Sequence, residues 1–462
     1  MASMPNTVDV SALINGRRLS AFNYRLIVLS WLITVFDGFD MIMVGFTAPY
    51  MRDQFGLSKP MLANVFSAGL VGMMIGGFLL SYVGDRVGRR PTVVASSFAF
   101  GILTAAVALA GGYHALVALR FLDGLALGGM LPLAWALNIE FVPGRMRSTV
   151  VTVIMVGFSL GSAIAGPMTN WIAPQHGWQG VYLAGGVGSV LCALALWIWL
   201  PESIRFLVLK GDRPQLVRST LQRMDPTLDL SAANRFVLSD EEQPDRNFRI
   251  GQLFRGDLRL ITPLLWLGYF ASSLAIYFAV SWGPIVVEEL QFPRHTAALV
   301  ASTGSLLGAG AGLLLMRFTD RRGPGSVALY PALCVPVLLA LGLGLVPRAQ
   351  FLAVVITSTL LISGGHFGVL SIAGVFYPSA IRASGGGWAT SMAKFGAILG
   401  PIAGGAVLSS GIPILRSYAL LAVCPAILCL CGLGIASVVR ARTAAPAGAA
   451  LAAVAGGSGE RR

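Results

Sequence analysis

The chain has 462 residues, 55% of them apolar and only 11% charged, where soluble domains carry about 25% charge. Twelve stretches of roughly 20 apolar residues can be marked along it, more than one soluble core buries. This composition argues against a soluble enzyme, a nucleic-acid binder and a secreted disulfide scaffold, and it predicts an all-α polytopic membrane protein.

Residues 1–24 are polar, include Arg17 and Arg18, and carry no cleavable signal pattern, so they read as a cytoplasmic segment ahead of a retained first helix. The first six predicted spans are 25–50, 63–83, 92–112, 114–138, 148–172 and 179–200, giving an N-terminal six-helix bundle over 25–200. A polar cytoplasmic loop follows at 201–258, with an amphipathic helix expected over Arg213 to Met224 (Leu216, Leu221 and Met224 near one side) and a flexible linker at 238–247. Spans at 259–282, 296–316, 326–346, 350–376, 384–408 and 413–439 make a C-terminal bundle over 259–439. The Ala- and Gly-rich stretch 440–462 lacks apolar periodicity and reads as a disordered cytoplasmic tail.

With both termini cytoplasmic, 26 of the 33 Lys and Arg fall on the cytoplasmic side and 5 outside, while Arg120 and Lys394 lie inside spans. This is the positive-inside pattern. The net charge of +13 therefore reports topology and not a polyanionic partner. The cysteines Cys192, Cys334, Cys424, Cys429 and Cys431 sit in predicted spans with neither paired spacing nor a neighbouring His, which suits inert buried thiols and no metal site.

A weak internal repeat divides the chain. Gly84-Asp85-Arg86-Val87-Gly88-Arg89-Arg90 follows the second span and Asp320-Arg321-Arg322-Gly323 follows the eighth, with the two aspartates 235 residues apart. Transporters built of parallel six-span halves bind substrate near the bilayer midplane between those halves.

On these residues the chain resembles the major facilitator superfamily. The loop at Asp85 is that superfamily's best-known marker, here with Ser81 where Gly is usual. Arg120-x-x-x-Gly124-x-x-x-Gly128 and Pro201-Glu202-Ser203-Ile204-Arg205-Phe206-Leu207 fit as well. Asp37-Gly38-Phe39-Asp40, Gly45-Phe46, Ala48-Pro49, Phe376-Tyr377-Pro378, Arg382-Ala383-Ser384-Gly385 and Phe395-Gly396-Ala397-Ile398-Leu399-Gly400 look like the aromatic acid:proton symporters, the group of 4-hydroxybenzoate/protocatechuate, benzoate, vanillate and gentisate transporters. The likeness runs from about Val8 to the twelfth span and implies twelve helices in two six-helix bundles.

Ionisable groups in hydrocarbon cost several kcal/mol and are functional candidates by default. Asp37 and Asp40 share a helix face. Desolvation and like charge disfavour ionising both, so such a pair can carry a proton, a role the resemblance also implies. The alternative is that Asp37 pins a bend at Gly38 while Asp40 pairs with a distant cation. Arg120 either takes a substrate carboxylate bidentately or balances an aspartate; Asp123, three residues on, stands where a neutral residue is expected from the family and could hold the guanidinium back. Lys394, where related symporters have Arg, is the candidate counter-ion for a carboxylate, against snorkelling to an interface. His366, between glycines, suits either substrate hydrogen bonding or packing.

Tyr269, Tyr277 and Trp282 in the seventh span and Trp135 in the fourth could stack on an aromatic ring or pack the core. Trp135 replaces a small polar residue of the related hydroxybenzoate transporters, which opens the substrate question. Glu140 lies about 30 Å beyond Arg120 at 1.5 Å per residue. With Asp85, Arg86, Arg89, Arg147, Glu202 and Arg205 it is expected to form the cytoplasmic gate. Gly396-x-x-x-Gly400 reads as a close-packing face or a hinge.

The sequence thus predicts a proton-coupled uptake carrier for an aromatic carboxylic acid such as a hydroxybenzoate or related lignin-derived acid, working by alternating access in the inner membrane. Its partners would be that acid, protons and the lipid bilayer, with no nucleic acid, no cofactor and a monomeric state. The alternatives are a proton-driven exporter of drugs or metabolites, a symporter of a non-aromatic organic acid, and a ligand-binding receptor or scaffold. No nucleophile–base pairing, metal cluster or phosphate loop supports an enzyme.

Overall fold

A computed structural model describes residues 6–211, 213–230, 233–239, 250–377 and 379–456. The chain forms two compact units, Met1–Pro244 with Val280–Ser302, and Asp245–Ala279 with Thr303–Arg462. The change of unit at Pro244 falls inside the expected central loop. Val280–Ser302, expected in the C-terminal bundle, groups with the first unit.

In the first unit, β1 (Asn6–Asp9) leads into α1 (Val10–Asn15), then α2 (Ala21–Phe55), α3 (Lys59–Val87), α4 (Arg89–Val107), α5 (Tyr113–Gly128), α6 (Met130–Glu140) and α7 (Arg147–Trp199). The short helices α8 (Ile204–Lys210) and α9 (Pro214–Met224) and the strand β2 (Ala233–Val237) follow. In α9 the buried face is Val217, Thr220, Leu221 and Met224. Leu216, expected on that face, is exposed, because the i, i+4, i+7 row runs through Val217.

Helix α2 starts where the Ser20 N–H donates to Asn23 Oδ1 at 2.9 Å and stops at Gly56 with φ 63°. It passes through Gly38 as continuous helix. Gly38 lies where a Cβ would run into the Phe158 carbonyl of α7. The 53 residues of α7 would span about 80 Å at 1.5 Å per residue, more than twice a ~30 Å hydrocarbon core. Gly177, at φ 65° and ψ 178°, divides it into two arms of crossing length. Eleven helices among the described residues are long and apolar enough to cross a membrane, and this break raises the crossing lengths to the expected twelve.

Two elements were not anticipated. β1 and β2 pair in parallel, Val8 opposite Phe236, and tie the start of the chain to the central loop. Strands of four and five residues carry too little alternation to be read from sequence. The linker expected at 238–247 lies mostly outside the described residues.

The second unit contains most of α10 (Leu258–Glu289) and α11 (Arg294–Arg322), then α12 (Leu329–Gly342), α13 (Arg348–Phe376), α14 (Ser379–Ser409), α15 (Arg416–Leu421) and α16 (Val423–Gly456). Helix α16 runs on to Gly456, into the stretch expected as a structureless tail. Its alanines are the best helix formers, and they extend a helix already nucleated by the span. The core gathers Leu265, Tyr269, Val369, Tyr377, Ala389 and Leu428. Gly396 and Gly400 of α14 lie against the Phe270 and Leu274 carbonyls of α10, the close approach that small residues allow in a membrane. Phe78, Leu109, Trp171, Leu191, Ile198, Leu314 and Leu430 are exposed, as lipid-facing side chains must be.

Candidate functional site

Three carboxyls and one guanidinium are buried together in the first unit. Asp37 and Asp40 come from α2, Arg120 and Asp123 from α5, and all four are at most 3% exposed. Helices α3 and α5 meet closely here because Gly124 and Gly128 lie where a Cβ would strike the carbonyls of Gly69 and Met73. That is the physical content of the Arg-x-x-x-Gly-x-x-x-Gly pattern. Arg120 Nη1 donates to Asp40 Oδ1 at 2.9 Å and Oδ2 at 3.0 Å, and to Asp123 Oδ2 at 2.7 Å. Asp123 Oδ1 accepts from Thr104 Oγ1 of α4 at 2.9 Å. Asp37 Oδ1 and Arg120 Nε have no hydrogen-bond partner. Arg120 is thus engaged by two aspartates of its own unit.

Trp135 packs against Ile27, Val142, Val150 and Ile154, with its indole N–H lacking an acceptor. In the second unit, His366 is half-buried and its Nδ1 lies 3.2 Å from Ser272 Oγ, which in turn donates to the Tyr269 carbonyl. Tyr269 donates its own hydroxyl to the Leu370 carbonyl at 2.9 Å. Tyr277 and Lys394 are half-buried on α10 and α14, Tyr277 beside Gly400. Trp282 is fully buried, edge-on to Phe66 at 5.5 Å.

The residues expected to form a gate divide into groups. Arg89 pairs with buried Glu140, and Glu140 Oε2 accepts from Ser203 Oγ at 2.5 Å and from the Arg205 N–H at 3.4 Å. Glu202 Oε1 accepts the N–H groups of Arg89, Arg90 and Ser203 at 2.9, 3.0 and 2.8 Å. Asp85 lies close enough to Arg89 to act on its charge. Arg86 lies over the Tyr82 ring at 4.2 Å, and Arg147 donates to the Val142 carbonyl at 3.3 Å. The roles of Ser203 and of the main-chain donors cannot be read from a pattern of opposite charges.

A second ionic cluster, at the other end of α2, was also missed. Glu288 Oε1 accepts from Arg52 at 3.0 Å and from Arg294 at 2.9 Å, Lys59 meets Glu289 at 3.0 Å, and Arg294 also reaches Asp53. These contacts, with the Phe66–Trp282 pair, explain why Val280–Ser302 groups with the first unit. The signal available was the Glu288-Glu289 pair at the end of a span.

The profile of the Major Facilitator Superfamily matches residues 30–401. A gallate transporter of Pseudomonas putida is 33% identical over 90% of this chain and 92% of its own length. A 4-hydroxybenzoate transporter of the same organism is 32% identical, covering 88% and 91%. Among solved structures, the partially occluded inward-open xylose transporter XylE of E. coli superposes with a TM-score of 0.68 at 17% identity, over 89% of this chain and 97% of that one. That likeness bears on the fold alone. With its buried acid–guanidinium cluster, its glycine-packed helices and its apolar exterior, the chain belongs to the Major Facilitator Superfamily, among the aromatic acid transporters, and is a multi-pass membrane transporter and not an enzyme.

Proposed function

We propose that this protein takes up an aromatic carboxylic acid, a hydroxybenzoate or related lignin-derived acid, together with protons across the inner membrane. One observation carries the reading: a buried Asp40–Arg120 pair with Asp37 beside it, in a chain whose relatives at 30–33% identity are named gallate and 4-hydroxybenzoate transporters. Asp37 and Asp40 hold the coupling proton. Lys394 is the main counter-ion of the carboxylate, because Arg120 Nη1 is shared by two aspartates; Arg120 adds a contact to the carboxylate through its unpaired Nε. His366 hydrogen-bonds the acid, and Tyr277 and Trp135 contact its ring. Neutralising proton site and carboxylate together lowers the desolvation cost of the conformational change, which couples the two fluxes.

Asp85, Arg86, Arg89, Glu140, Arg147, Glu202 and Arg205 form the cytoplasmic gate. Both termini are cytoplasmic, the six-helix bundles run over 25–200 and 259–439, and the transporter works as a monomer. Uptake of labelled gallate, 4-hydroxybenzoate and a set of aliphatic acids by expressing cells, with and without a protonophore, tests this reading. Accumulation of an aromatic acid that the protonophore, Asp37→Asn and Lys394→Ala each abolish is the expected result. Uptake indifferent to the proton gradient would overturn symport, and efflux activity in everted vesicles would replace it with an exporter.

A further inference from the structure

Asp123 has a place in the buried cluster that proton coupling by Asp37 and Asp40 does not use. It is fully buried and fixed from two sides, by Thr104 Oγ1 at 2.9 Å and by Arg120 Nη1 at 2.7 Å. The same Nη1 also serves both oxygens of Asp40. One guanidinium nitrogen carries two hydrogens, yet here it faces three carboxylate oxygens while Nε has no partner. An arginine committed to a single carboxylate would present two nitrogens in parallel. This one is divided between two acids.

Charge counting points the same way. The charged groups of the cluster are Asp37 and Asp40 from α2 and Arg120 and Asp123 from α5, with the Tyr182 phenol from α7 close by. With every carboxyl ionised the cluster would hold two uncompensated negative charges out of water, which a protein interior does not sustain. A single Arg120 neutralises a single carboxylate, so the other two acids need protons.

We propose that Asp123 is a second proton-carrying acid of the transport cycle, exchanging Arg120 with Asp40. A proton arriving on Asp40 removes the charge that holds the guanidinium there, Asp123 releases its own proton to water, and Nη1 then pairs with the ionised Asp123. When the proton leaves Asp40 the guanidinium returns, and Asp123 takes up a proton. Arg120 is the element with two arrangements, and Thr104 steadies Asp123 in both. This proposal rests on the proton-coupled reading above.

The test uses the purified full chain in proteoliposomes, as wild type, Asp123→Asn, Asp123→Glu and Thr104→Val, with labelled gallate and 4-hydroxybenzoate as probes. Proton-driven accumulation is compared with counterflow, which needs no net proton movement. pH-difference infrared spectra follow the protonated-carboxyl stretch without any substrate. Asp123→Asn is expected to lower accumulation about tenfold or more while keeping counterflow, and to remove one titrating carboxyl band; Asp123→Glu should restore both. Thr104→Val, which retains the acid, should shift the pH profile of accumulation. Equal loss of accumulation and counterflow with an unchanged infrared titration would overturn the proposal and leave Asp123 a structural anchor of Arg120. If wild type accumulates neither acid, the transport reading fails by itself and the infrared arm decides: a lost band supports a proton on Asp123, an unchanged one refutes it.

Discussion

The Glu202 carboxylate accepts the backbone N–H of Arg89 at 2.9 Å, and so it holds the loop between α3 and α4 through the main chain. Arg89 and Arg90 are the first residues of α4, where N–H groups have no partner within the helix and an anion is stabilised by the helix dipole. Gly88 makes the approach possible. Its φ is 122°, and a Cβ there would come within 2.5 Å of Glu202 Oε2. The guanidinium of Arg89 is then left for Glu140.

This arrangement orders the effects of substitution. Gly88→Ala combines a backbone conformation costing of order 1–3 kcal/mol in a non-glycine residue with displacement of Glu202. Glu202→Ala, which leaves the main-chain donors without their acceptor, should cost about 1–2 kcal/mol, and Glu202→Gln, which keeps an acceptor oxygen, less. Thermal unfolding in detergent should give the order Gly88→Ala, then Glu202→Ala, then Glu202→Gln. If Gln is as damaging as Ala, the charge and not the capping is what matters.

Breaking the buried cluster should be severe and partly reversible. Arg120→Gln leaves three buried carboxyls without a cation, a loss of about 3–5 kcal/mol when one partner of a buried pair is removed. Adding Asp123→Asn removes one of those carboxyls, so the double variant should be more stable than Arg120→Gln alone, with a coupling of about 0.5–3 kcal/mol. Additive losses in a double-mutant cycle of melting temperatures would show that Arg120 and Asp123 do not interact energetically.

The cluster around Glu288 makes a different prediction. Glu288 accepts from both Arg52 and Arg294 and its side chain is 17% exposed, whereas that of Asp53 is 49% exposed. Glu288→Gln should therefore lower the melting temperature more than Asp53→Asn. Exposed pairs are worth about 0–1 kcal/mol and are screened by salt, so the effect of Asp53→Asn should vanish in 1 M salt, where the Debye length is about 3 Å. Equal, salt-insensitive effects would contradict this ranking.

The N-terminal clamp should respond to pH. Asp9 caps α1 by accepting the N–H groups of Ser11 and Ala12 at 3.0 and 3.2 Å. Its carboxyl is held below its ordinary value of 3.8, first by the Ser239 side chain, against the opposing effect of burial, and then by backbone N–H groups. A lowered folded value means the clamp is fully present above that ordinary value and is lost as pH falls through the lowered one. Asp9→Ala should speed tryptic cleavage at Arg17 and Arg18 at neutral pH. For wild type, the rate of peptic cleavage of the same segment should approach that of the variant as pH is lowered from about 4 toward about 1.5; a difference that stays constant over that range would refute the role given to Asp9.

What the sequence determined by itself follows from local physics. A run of about 20 apolar residues must become a membrane helix, because only there are its backbone groups satisfied in hydrocarbon, so the eleven crossing helices among the described residues, the long α7 included, were legible span by span. The motif at Asp85 and the glycines of α5 and α14 were legible too, since close packing of helices needs small residues at fixed spacing. The candidates Asp37, Asp40, Arg120 and Asp123 announced themselves as ionisable groups inside apolar spans. Which partner each charge takes was not legible. Arg120 meets Asp40 from 80 residues away and Arg52 meets Glu288 from 236, and nothing near either residue encodes the pairing. The β1–β2 ladder joins Asn6–Asp9 to the distant Ala233–Val237, and Glu202 serves main-chain donors that every residue other than proline possesses. Those choices belong to tertiary structure, because a buried charge is satisfied by whatever the packing of distant helices brings within about 3 Å of it.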